Sequence, residues 1–171
     1  MDIYMTILRL VHIFAGILWA GWSWALATFV LPASQAAGPE GGKFMQTLTG
    51  KTKLTQTMFV APLLVVLTGV LMYWQVSGHL SGPWLASPPG IALTIGAAAG
   101  ILAFVLGLVM ISPAAQRLGT LSRQVQSSGA PPSPAQQAEL RAIQQRIVNG
   151  GRYVAILLVI AVIGMSVARY L

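Results

Sequence analysis

Residues 8–31 read LRLVHIFAGILWAGWSWALATFVL, and the fold follows from this stretch. Arg9 and His12 aside, nothing in it ionises. A helix needs about 20 mostly apolar residues to cross a hydrocarbon core roughly 30 Å thick. Residues 7–31 meet that requirement, and three further runs do so in turn: 58–76, 90–111 and 153–168. The expected fold is therefore all-α, a single four-helix membrane bundle over residues 1–171, with the lipid bilayer as its first partner.

Composition points the same way. The chain is 56% hydrophobic and 8% charged, whereas soluble domains carry about 25% charged residues. So few charges cannot cover a water-facing surface, and so much apolar side chain excludes disorder. No cysteine is present, which removes disulfides, thiolate catalysis and cysteine-ligated metal centres. A cleaved signal peptide competes for the first run, because Ala33, Ser34, Ala36 and Ala37 follow it. The run exceeds the usual 7–15 apolar residues, and its amino end carries Asp2 and only Arg9, so a retained span is expected.

The net charge of +7 then has a topological meaning and is no argument for nucleic acid. Lys43, Lys51, Lys53, Arg117, Arg123, Arg141, Arg146 and Arg152 all fall in the connections 32–57 and 112–152. The positive-inside rule puts those two connections in the cytoplasm and both termini outside, in a bacterial cytoplasmic membrane. The second connection should be partly helical. Ser133-Pro134-Ala135-Gln136 carries a capping box with proline at the first helical position. Asn149-Gly150-Gly151 is expected to stop or hinge that helix before the fourth span. The connection reads as a solvated basic link supporting topology, with docking of a partner or anionic lipid as the functional alternative. No internal repeat stands out by sequence.

An ionisable group inside a membrane is expensive and marks function by default. No Asp, Glu or Lys lies in any run, which argues against an ion-coupled transporter. His12 is the one candidate. At helical spacing Met5, His12, Gly16, Trp19 and Ser23 share a face. Gly16 removes side-chain bulk one turn from His12, and Trp19 would form an aromatic wall. A haem b could approach there and be ligated by the imidazole; another helix could pack there equally well. His79 follows the second span on the same side. If the helix continues that far, Thr68, Met72, Gln75 and His79 share a face. His12 with His79 or Met72 could ligate haem, and His12, His79, Met5 and Met72 are also a donor set for Cu(I). Gly96, Gly100, Ala103 and Gly107 form a small-residue stripe suited to close helix packing. Pro62 is expected in the first turn of its helix. Hydrolase elbows, phosphate loops and HExxH motifs are absent.

Two segments carry a family likeness: His12-x3-Gly16-x2-Trp19-x-Gly21 with Phe29-Val30-x-Pro32, and Leu67-Thr68-Gly69-Val70-Leu71-Met72-Tyr73-Trp74. They resemble the first two helices of a group of small bacterial membrane proteins. That group includes copper resistance protein D, the HemJ-type protoporphyrinogen oxidase and the membrane part of cytochrome-linked urate oxidases. The resemblance implies a helical bundle with a haem or metal role and His12 as ligand. The HemJ type is expected to use a lysine as second haem ligand, and no lysine lies within a span here. Three functions are therefore expected: haem-based electron transfer or redox chemistry, copper handling, or a non-catalytic subunit of a larger complex or homo-oligomer.

Overall fold

The computed structural model describes residues 2–171, and all regular structure among them is helical. Four helical rods are long and apolar enough to cross a membrane. The first is α1 (Ile3–Ala25), a five-residue π segment (Leu26–Val30) and α2 (Leu31–Ala36). A short helix, α3 (Gly38–Lys51), precedes the second rod, α4 (Leu54–Val76). One turn of helix, α5 (Gly82–Leu85), leads into the third rod. That rod joins α6 (Pro88–Leu106), a second π segment (Gly107–Ile111) and α7 (Ser112–Ser128). The fourth is α8 (Pro134–Val167), ending in a 3-10 turn (Ala168–Tyr170).

Both π segments are explained by the prolines that follow them. Pro32 and Pro113 have no N–H to donate, and a proline ring clashes with the carbonyl four residues earlier. Widening the preceding turn relieves the clash and leaves carbonyls without their usual donors. Beside the first of them the Thr28 hydroxyl donates to the Trp24 carbonyl at 2.7 Å.

The rods pack as two antiparallel hairpins, α1 with α4 and α6 with α8. α1 also touches α8, and α4 touches α6, which closes a four-membered ring of neighbours. Ala15, Trp19, Ala61, Ala103, Val154 and Leu158 meet at its centre. The tightest crossing is α6 on α8. A Cβ added at Gly164 would lie 2.9 Å from the Ala92 carbonyl oxygen and 3.0 Å from Gly96 Cα. Gly96, Gly100 and Ala103 of the small-residue stripe are buried there, whereas Gly107 lies in the π segment with open space beside it.

Short sequence matches relate the two hairpins. Ala15-Gly16-Ile17-Leu18 in α1 matches Ala99-Gly100-Ile101-Leu102 in α6, and burial agrees along the aligned helices. Ala15 and Ala99 are buried, as are Trp19 and Ala103, while Ile17 and Ile101 are exposed. Phe59-Val60-Ala61-Pro62-Leu63-Leu64-Val65 in α4 resembles Tyr153-Val154-Ala155-Ile156-Leu157-Leu158-Val159 in α8 by sequence, though Val60 and Leu64 are exposed where Val154 and Leu158 are buried. Short matches of this kind vanish in apolar sequence until the packing shows which helices correspond.

Several local expectations are corrected. Residues 32–57 are mostly helical, as α2 and α3, where a loop was expected. α8 runs unbroken through Asn149-Gly150-Gly151. Gly150 is there for contact, since a Cβ on it would meet Ile111 Cγ1 at 3.1 Å and Met110 Sδ at 3.4 Å. α4 starts at Leu54, so Pro62 lies inside it, buried, and not in its first turn. The capping box at the start of α8 is present: the Ser133 hydroxyl accepts from Gln136 N–H, and the Gln136 side chain accepts from Ser133 N–H. Arg117 of α7 pairs with Glu139 of α8 at 2.6 Å across this hairpin.

Candidate cofactor site at His12

α1 and α4 run antiparallel, so a residue near the start of one meets a residue near the end of the other. His12 meets Thr68 and Gly69. His12 Nδ1 and Thr68 Oγ1 are 3.1 Å apart. The Thr68 hydroxyl has a single proton, and the Leu64 carbonyl oxygen lies 2.6 Å from it, the shorter contact. With that proton on Leu64, Thr68 Oγ1 is left to accept, and His12 Nδ1–H would be its donor. A neutral imidazole protonated on Nδ1 keeps its lone pair on Nε2. The ring is half-buried, and its Cε1–Nδ1 edge lies over Gly69. A Cβ added at that glycine would be 3.0 Å from His12 Cε1 and 3.4 Å from Nδ1.

The remaining expected site residues divide into two groups. Met5 and Met72 are both half-buried, on the two helices that hold His12. Met72 is one turn beyond Thr68, toward the end of the bundle where the chain begins. His79 is not on that face. α4 ends at Val76, and Gly78, His79 and Leu80 all take left-handed backbone angles, with φ of 59°, 60° and 68°. Such angles are costly without glycine. Backbone hydrogen bonding holds them, His79 N–H to the Trp74 carbonyl at 3.0 Å and Leu80 N–H to the buried Ser77 Oγ at 2.9 Å. The exposed His79 ring packs edge-on to Trp74, with centroids 5.2 Å apart. Trp84 likewise stacks on Tyr73, at 5.6 Å.

One expected role changes. Gly16 does not make the clearance beside His12. A Cβ at Gly16 would meet only Val65 Cγ2, at an ordinary 4.0 Å, and Gly69 makes the clearance instead. Trp19 is buried in the central core. Thr68 and Gly69 were missed as partners of His12. The signal was available in the antiparallel pairing, which sets residues about two turns from the start of one run against those about two turns from the end of the next.

Among the described residues, no three histidine or acidic side chains gather in one place. No protein family, curated protein or solved structure matches the chain.

Proposed function

We propose that this chain is an integral protein of the bacterial cytoplasmic membrane that binds haem b through His12, near the end of the bundle carrying both termini, and serves electron transfer or redox chemistry there. The observation that carries the reading is the hydrogen-bond order from His12 Nδ1 to Thr68 to the Leu64 carbonyl. Such an order would hold the imidazole by Nδ1 and turn Nε2 to a ligand, as in histidines that ligate metals. The donor chemistry therefore fits an axial haem ligand, as the resemblance of the first two helices implies. Bound haem supplies a one-electron couple whose potential follows its axial ligands and its burial. Thr68 holds the ring, Gly69 seats it, and Met72 or His79 would stand as the opposite ligand.

A second reading, copper handling, is favoured by Met5 and Met72, which are half-buried on the same helix pair as His12. A third is a subunit role. It is favoured by uneven burial: only 11% and 17% of the apolar windows of the first two rods are covered, against 22% and 28% for the last two.

One purification separates the three. Full-length protein expressed with ample haem should show a Soret band. Copper without that band moves the reading to metal handling. Co-purification with a larger complex and no cofactor moves it to a subunit.

The eight cations of residues 32–57 and 112–152 support a cytoplasmic position for those connections through the positive-inside rule. Because the chain lacks cysteine, Gly82→Cys and Ser128→Cys give clean reporters. A membrane-impermeant thiol reagent on intact cells should label position 82 only. Labelling at 128 alone would invert the topology.

A further inference from the structure

The correspondence between the hairpins gives His12 an internal comparison. Extending the Ala-Gly-Ile-Leu match one turn back places His12 of α1 opposite Gly96 of α6. Each meets a glycine on the following long helix. Gly96 meets Gly164, where an added Cβ would be 3.0 Å from Gly96 Cα. His12 meets Gly69, where an added Cβ would be 3.0 Å from the imidazole Cε1. The second hairpin thus closes glycine on glycine with nothing between. The first has an imidazole between its helices, with the Thr68 hydroxyl hydrogen-bonded to it. His12 is half-buried and lies outside the central cluster to which Trp19 of the same helix belongs, so packing weighs less at position 12 than at position 19.

We propose that Thr68 and Gly69 are positioning residues for His12, Gly69 seating the ring and Thr68 holding the Nδ1–H tautomer so that Nε2 is the nitrogen offered to a ligand. The imidazole serves chemistry and is dispensable for packing of the hairpin. Only the identity of the ligand rests on the haem reading; the geometry of the ring does not.

The test is nitrogen NMR of the full chain in lipid nanodiscs, labelled at histidine, free of cofactor, at a pH where both imidazoles are neutral. A His79→Asn variant assigns the two rings. His12 is expected as the Nδ1–H tautomer, the minor form of a free imidazole. Thr68→Ser should retain it, and Thr68→Val should convert the ring to Nε2–H or a mixture. Gly69→Ala should move the His12 signals. His12 in the Nε2–H form in the unaltered protein, or an Nδ1–H form that survives Thr68→Val, overturns the positioning. Thermal melting tests the second half of the proposal. His12→Ala should melt close to the unaltered protein while Trp19→Ala melts well below it, and an equal fall for both would make His12 a packing residue. The spectra need no haem. Protein with the Nδ1–H tautomer and no Soret band loses the haem reading and keeps the positioning. Protein with the band and the other tautomer does the reverse.

Discussion

Gly164→Ala is expected to destabilise the bundle by about 2 kcal/mol, and Gly164→Leu by more, because both overpack a crossing that has no give. A Cβ at residue 164 would meet the Ala92 carbonyl oxygen at 2.9 Å, Gly96 Cα at 3.0 Å and Gly96 N at 3.1 Å. All three are backbone atoms, so no side chain can rotate away, and the helices themselves must separate. In lipid that separation matters more than in water. Lipid tails are as apolar as leucine, so helices associate through close van der Waals contact more than through hydrophobic burial. Gly107→Ala is the control: nothing lies within 4 Å of its added Cβ, and alanine favours helix over glycine by up to about 1 kcal/mol. Thermal melts in one detergent should place Gly164→Ala clearly below the unaltered protein and Gly107→Ala at or above it. Equal melting of all three would mean that the α6–α8 crossing is not set by its glycines.

The same crossing shows what the sequence could and could not say. Long apolar runs with their few charges at the ends are decisive for four helices, because crossing a bilayer leaves few alternatives. The capping box at Ser133 was legible because its hydrogen bonds are local. Glycine was ambiguous. Asn149-Gly150-Gly151 has the composition of a helix stop, yet Gly150 lies inside α8 because Ile111 and Met110 press on it. Gly16 looked like the clearance for His12, yet Gly69, far away in sequence, provides it. A glycine's role depends on what faces it, and that partner is tertiary information. The end of α4 falls at Val76, where the second run was expected to stop, and only the conditional extension to His79 fails. Ser77 terminates the helix by accepting from Leu80 N–H through its side chain, and the left-handed turn that results takes His79 off the face it would otherwise share with Met72.

That turn bears on the opposite haem ligand. Met72 lies on the helix that holds His12 in place, one turn from Thr68 and half-buried. His79 is exposed, beyond the helix end, and engaged with Trp74. On the haem reading, His12→Ala should abolish the Soret band, and added imidazole should restore part of it by entering the space the side chain leaves. Thr68→Val keeps the ligand and removes only its hydrogen bond. Losses of that kind cost about 10–100-fold in affinity, so haem should be retained at high concentration and lost on dilution. Met72→Ala should lower the reduction potential, since an axial methionine raises it, whereas His79→Ala should leave band and potential unchanged. The reverse result, a band sensitive to His79 and indifferent to Met72, would require residues 77–80 to rearrange when haem binds. A band that survives His12→Ala would remove His12 from the ligand set altogether, and with it the reason for reading the α1–α4 hairpin as the functional half of the molecule.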